Sequence, residues 1–141
     1  MSAIRLPRPH QGIVKVRSEA ADENVLVASR RWRKTTMCMS LVVEGAANGL
    51  PMLWTAPTFA QVDVGWDESR KACDHVAEFN RTRMTATFPG GGRIFYRSLD
   101  KPNSTRGLTA AGAVVDEAQD VEEEAIDAVV RPVLFDMRGW L

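Results

Sequence analysis

Apolar positions along the chain fall into short, nearly continuous runs and longer stretches with helical spacing. Asn24-Val25-Leu26-Val27-Ala28 and Pro51-Met52-Leu53-Trp54-Thr55-Ala56 are runs of the first kind. So is Gly112-Ala113-Val114-Val115-Asp116. Each reads as a strand buried on both faces, as parallel sheets require. Between the first two, Met37, Leu41, Val42 and Ala46 follow helical spacing from Lys34 to Asn48, and Asn48-Gly49 is a stop signal. A second helix is expected from about Ala60 to Asn80, with Val62, Trp66, Cys73, Val76 and Phe79 on one face. Thr85 to Phe88 and Arg93 to Arg97 flank Pro89-Gly90-Gly91-Gly92, a hairpin signal. Leu99 to Leu108 is a loop, Val121 to Val130 a helix, and Pro132 is expected to break or bend the chain beyond it. Residues 1–23, interrupted by Pro7 and Pro9, form an irregular entry with at most a short helix near Gln11–Arg17.

Strand–helix–strand–helix–hairpin–strand–helix is the order of an α/β fold with a mostly parallel central sheet, flanking helices and a β-hairpin insertion. At 141 residues the chain allows one domain, and 45% apolar with 26% charged residues is ordinary globular composition. No run nears the roughly 20 apolar residues of a membrane span, and the N-terminus lacks a signal-peptide core. Two cysteines and two histidines make neither a disulfide framework nor a zinc pattern. Cys38 and Cys73 are therefore expected as free thiols of an intracellular protein. Trp54 and Trp66 belong to the core pattern, and His75 is expected to be exposed or paired.

Net charge is zero, yet it is graded along the sequence. Residues 1–36 carry eight Lys/Arg against three Asp/Glu, and residues 110–141 carry two against eight. A basic start suits a polyanion and an acidic end suits a metal ion or basic partner, although solvated faces give the same pattern.

Ala28-Ser29-Arg30-Arg31-Trp32-Arg33-Lys34-Thr35 lies between an expected strand and an expected helix. Phosphate loops occupy that place because helix N-terminal amides face an anion, Lys reaches phosphate and Thr reaches magnesium. The spacing fits G-x-x-x-x-G-K-[ST] with Ala28 and Arg33 in the glycine positions. A charged strand–helix turn would look the same. Val114-Val115-Asp116-Glu117 is an apolar strand ending in two acids, the arrangement for holding magnesium and polarising an attacking water. The two segments fall where strand C-termini converge, the ligand crevice of an open α/β sheet.

Four stretches together resemble the large terminase subunit of tailed bacteriophages, the ATPase motor that packages DNA. Pro9-His10-Gln11 resembles its adenine-recognition segment, and Ala28 to Thr36 its Arg-bearing phosphate loop. Leu53 to Thr58 with Gln61 resembles its second strand and turn. Phe95 to Gly107, followed by Val114 to Gln119, resembles its strand, Arg-Gly loop and Asp-Glu-Ala strand. The resemblance implies a P-loop ATPase fold binding ATP and Mg2+. Gln11 would contact adenine, while Ser29, Arg31, Arg33, Lys34, Thr35 and Thr36 would surround the phosphates. Thr35 and Asp116 would hold magnesium, Glu117 would be the catalytic base, and Arg30 would stabilise charge in cis. It further implies double-stranded DNA, a small terminase subunit and a portal protein as partners, a possible homo-oligomer, and the cytoplasm of an infected or lysogenic bacterial host.

Two departures stand out. Arg33 precedes Lys34 where the family has glycine, placing a side chain where backbone should approach phosphate. The sequence also stops where a further strand is expected, so residues 1–141 read as a single partial ATPase domain without a nuclease domain. Hydrolysis driving DNA translocation is the first functional expectation. The alternative is a pseudo-ATPase surviving as a nucleic-acid or packaging-partner binding module. A helicase-type ATPase shares the Asp-Glu-Ala-Gln run but not the Arg-bearing loop or Arg106-Gly107.

Overall fold

The computed structural model describes residues 21–27 and 32–141. The short helix expected near Gln11–Arg17 lies outside these residues. Helix α1 (Lys34–Ala47) leads to strand β1 (Pro51–Ala56), then α2 (Phe59–Cys73), β2 (Glu78–Asn80), β3 (Thr85–Thr87), β4 (Arg93–Ser98) and β5 (Gly112–Val115). A helical segment then runs through α3 (Glu123–Ala125), a π-helical turn (Ile126–Val130) and α4 (Arg131–Phe135). The five strands form one sheet in the order β2-β3-β4-β1-β5. Strand β1 pairs in parallel with β4 and β5, whereas β2–β3 and β3–β4 are antiparallel. The expected hairpin is therefore β3–β4, and β4 also joins the parallel centre.

Alternation along β1 assigns its residues to two cores. Met52, Trp54 and Ala56 pack with Val42, Val43, Ala46, Val62 and Trp66 under α1 and α2. Leu53 packs with Ala113, Val129, Val130 and Val133 under the C-terminal helical segment. With both faces covered, residues 52–56 are all buried, which is why β1 is apolar throughout. The α2 side contains an edge-on aromatic cluster of Trp66 with Tyr96 and Phe79, and Ser69 Oγ lies 2.6 Å from Tyr96 Oη.

The ends of the helices follow from local chemistry. Asn48 terminates α1, and Gly49 takes the left-handed φ of 89° that only glycine adopts freely. Thr58 begins α2 through a reciprocal capping box. Its hydroxyl accepts from Gln61 N at 3.4 Å, and its own N–H donates to Gln61 Oε1 at 3.1 Å.

Three expectations are corrected. Helix α2 stops at Cys73, and Glu78–Asn80 is a strand, because Phe79 pairs with Ala86 across β2–β3 and abuts Trp66. Pro132 does not break the C-terminal helix. It stands just after the π-helical turn Ile126–Val130, the irregularity at which the regular ladder is interrupted, and the helix continues to Phe135. Finally, residues 24–27 of the expected first strand are not a strand, and Val25 and Val27 are each 87% exposed. Among the described residues, Asp22 and Asn24 bond the backbone of Leu141 and residues 25–27 pair with no strand. Among the described residues no helix is long and apolar enough to cross a membrane.

Candidate functional site

Strands β1, β4 and β5 end on one side of the sheet, and α1 begins beside the end of β5. Thr35, in the first turn of α1, donates its hydroxyl to Asp116, which immediately follows β5; Oγ1 lies 3.2 Å from Oδ2 and 3.5 Å from Oδ1. Glu117 N donates to Asp116 Oδ1 at 3.1 Å, fixing the carboxylate from the other side. Burial holds the Asp116 carboxyl above its ordinary range, and the neighbouring Glu117 charge adds to this. The Thr35 hydrogen bond and the Lys34 charge oppose the rise. A half-buried acid thus stands beside a hydroxyl and a second acid, with a lysine near enough to act on its charge.

Backbone geometry sharpens it. Arg33 is left-handed, with φ 63° and ψ 41°, and among the described residues no side-chain hydrogen bond caps α1. Helix N-terminal amides are donors suited to an anion. Glu117 is also left-handed, at φ 53° and ψ 42°; it is exposed and accepts from Gln119 Nε2. Two non-glycine residues in this sparsely populated region flank the Thr35–Asp116 pair. Such a conformation at Arg33 is the one glycine supplies without cost.

Lys34, Thr35, Asp116 and Glu117 are thus brought together. Thr36 is half-buried in the same turn of α1. Gln11, Ser29, Arg30 and Arg31 lie outside the described residues. Cys38 was missed from sequence as a neighbour of this site. It stands one turn after Lys34, and burial, with the Asp116 charge behind it, pushes its thiol up to about 11. The signal was its i+4 spacing from Lys34 on α1. Arg97, also unforeseen, ties the nearby loops. Its Nε donates to Ser104 O at 3.0 Å, and its Nη1 donates to Arg83 O, Met84 O and Tyr96 O at 2.8–3.1 Å. The predicted bland roles hold for Trp54 and Trp66, both buried, and His75 is exposed beside Asp74.

Thr35 and Asp116 offer the hard oxygen donors that Mg2+ takes, one or two from protein with water and phosphate completing the octahedron. Among the described residues no group of three or more His, Cys, Asp or Glu is clustered for a metal. A cavity of about 570 Å³ extends from Lys34, Asp116 and Glu117 along β5 to Trp140 and Leu141.

A scan against protein-family models and a search of curated proteins by sequence return no match. Solved structures do match. The Thermus phage P74-26 large terminase ATPase domain superposes with a TM-score of 0.77 at 19% identity, over 94% of this chain and 62% of that one. A point mutant of that domain gives 0.76 at 19%, covering 94% and 63%. The HK97 bacteriophage large terminase gives 0.67 at 16%, covering 77% and 26%. The chain therefore spans less than two thirds of each of these structures. Within that span it is an α/β protein with the fold of phage large terminase ATPase domains.

Proposed function

We propose that the chain is a partial P-loop ATPase domain of a phage DNA-packaging motor, binding ATP with Mg2+ and using its hydrolysis to move double-stranded DNA. The observation that carries this is the direct Thr35–Asp116 contact at the C-terminal edge of the parallel strands. Bound MgATP would supply an electrophilic γ-phosphate whose charge the metal partly neutralises. Lys34 places a cation at the α1 N-terminus, where negative charge is favoured. Thr35 and Asp116 would hold the metal. Glu117 is exposed next to Asp116 and can accept a proton from water, and Gln119 fixes its orientation. Arg30 would add charge stabilisation in cis, and Gln11 would contact the base.

The fold of the terminase ATPase domains supports this reading. The same resemblance proposes a small terminase subunit and a portal protein as partners, a possible homo-oligomer, and action in the host cytoplasm. Titration calorimetry of MgATP against the chain and its Lys34→Ala and Asp116→Asn variants tests it. Saturable binding that both substitutions remove is the expected result. Equal heats from all three proteins would sink it.

The arginine side chain at position 33, where a phosphate loop has glycine, favours a second reading, a basic loop kept for nucleic acid after ATP binding was lost. That reading expects no MgATP binding, with duplex affinity that falls steeply as salt rises.

A further inference from the structure

Residues 81–84 and 97–107 hold five Lys/Arg against one Asp/Glu, in a chain whose net charge is zero. The sheet brings these two segments to one place. Thr85, which follows the first segment, stands opposite Phe95, so the 81–84 turn lies level with the end of β4. The Arg97 guanidinium then joins them, donating to Arg83 O and Met84 O on one side and to Ser104 O on the other. Carbonyls that share one guanidinium are neighbours.

Both turns are also ordered from within. Arg83 N donates to Asn80 Oδ1, and Ser104 N donates to Lys101 O, each at 3.0 Å. Thr105 is buried, with its hydroxyl 3.4 Å from Val129 O. Arg83, Lys101 and Arg106 are exposed, and among the described residues none of the three is in an ion pair. Two carboxylates belong to the same region. Asp63 has both oxygens on Arg81, and Asp100 is exposed next to Lys101.

We propose that these two turns form a contact surface for the phosphate backbone of duplex DNA, with Arg83 and Lys101 as the contacting cations. Composition selects that partner over an acidic protein. Neither segment contains an exposed large apolar side chain, whereas a protein interface is built around an apolar or aromatic centre. Long cations on a held backbone suit a repeating anion that is gripped without reading its sequence. The sheet order puts this surface over β3 and β4, on the edge that carries the Thr35–Asp116 contact but with β1 between it and β5. The assignment rests on the DNA-handling part of the proposed function and on none of its nucleotide chemistry.

Fluorescence anisotropy of a short labelled duplex, without nucleotide and over a salt series, tests it. The proteins are the 141-residue chain, a variant carrying Arg83→Gln with Lys101→Gln, and an Arg93→Gln control. Arg93 is an exposed cation at the opposite end of β4. Arg106 is left in place because the Arg-Gly loop is tied to the ATPase reading. The double variant should bind duplex about tenfold more weakly at low salt. Its slope of log affinity against log salt should be shallower by about two, one for each lost phosphate contact, whatever the duplex sequence. The Arg93 control should match the parent. A double variant that matches the parent, or a control that falls as far, overturns the proposal. So does a parent that binds no duplex; if that parent self-associates in sedimentation and the double variant does not, the surface belongs to an acidic face of a second copy. MgATP titration scores the ATPase reading separately, so a chain that binds duplex but no MgATP keeps this surface and loses that reading.

Discussion

The Thr35 hydroxyl and the Asp116 carboxylate meet at 3.2 Å although 81 positions separate them. Helix α1 packs on β1 and on Val114 of β5, and β5 pairs in parallel with β1. Their meeting is therefore a property of the fold.

Asp116 bears a stability cost. Its carboxyl is held above the ordinary value of 3.8 chiefly by burial, so the folded chain binds a proton that the unfolded chain has released. Stability then falls as pH rises from 3.8 through the raised folded value, and the loss persists at neutral pH. Asp116→Asn should raise Tm at pH 7 relative to the parent, and the difference should shrink below pH 3.8. The same variant should lose Mg2+-dependent ATP binding. Thermal unfolding across pH 3 to 8 checks the sign; a variant less stable at pH 7 would contradict the burial argument.

Gly65 faces the indole of Trp54 so closely that an added Cβ would sit 2.2 Å from Nε1. Both residues are buried, so there is no slack to absorb it. Gly65→Ala should destabilise the fold by about 1–3 kcal/mol through overpacking, despite alanine's better helix propensity. Urea unfolding measures this. A neutral or stabilised variant would show that α2 can move away from β1.

Much of this architecture was legible because its physics is local or periodic. The limits of β1 appear in the sequence since both faces are buried and Pro57 follows, and α1 ends where Asn48-Gly49 says it should. The end of α2 was not legible. Val76 and Phe79 continue its apolar spacing, and only pairing with the distant β3 makes residues 78–80 a strand. Val25-Leu26-Val27 carries a strand pattern, yet among the described residues no strand pairs with it and both valines are exposed. At the candidate site, Lys34, Thr35, Asp116 and Glu117 were readable from motif chemistry, whereas the Cys38 environment and the carbonyl-binding Arg97 arise from tertiary approach.

Arg97 offers a test of that second class. Its half-buried guanidinium joins the 83–84 turn to Ser104 by hydrogen bonds to carbonyls, with no carboxylate among those partners. Arg97→Leu keeps much of the apolar stem but leaves the carbonyls without their donor. A loss of roughly 2–3 kcal/mol is expected, the scale for hydrogen bonds to a charged group. Amide exchange in residues 101–107 should quicken more than in α1. Uniform quickening across the chain would argue against a local tie.

Arg131 holds Glu23 in a paired arrangement, Nη1 to Oε2 at 2.8 Å and Nη2 to Oε1 at 2.7 Å, and also contacts Asp127. The hydrogen bond from Arg131 lowers the Glu23 carboxyl from 4.5. Its contribution is complete above that value and is lost as pH falls through the depressed folded one. The pair is solvent-exposed, so the expected readout is local: Arg131→Ala should deprotect the amide of Asn24 at pH 7. Acidification below pH 4.5 should do the same in the parent. An Asn24 amide indifferent to both would show that Leu141 alone anchors this segment.

Arg33 decides between the two functional readings. A phosphate loop needs main-chain N–H groups to close around the β-phosphate just before the lysine. Arg33 already has the left-handed backbone that glycine would supply, with φ 63°. Arginine at such a φ stores roughly 1–3 kcal/mol of strain, which weighs on stability with or without ligand, and its Cβ and long cation approach the ligand's space. Arg33→Gly removes that side chain and should tighten MgATP binding by about tenfold, which corresponds to about 1.4 kcal/mol. Adding Lys34→Ala to that variant should abolish the gain, because the preorganised backbone then lacks its phosphate-reaching cation. A loop kept only for DNA predicts the reverse: unchanged ATP affinity and weaker duplex binding at low salt once a cation is gone. Titrating MgATP and a DNA duplex against the parent and the two variants separates these outcomes. An unchanged ATP affinity for Arg33→Gly would remove the steric and conformational argument for a compromised loop.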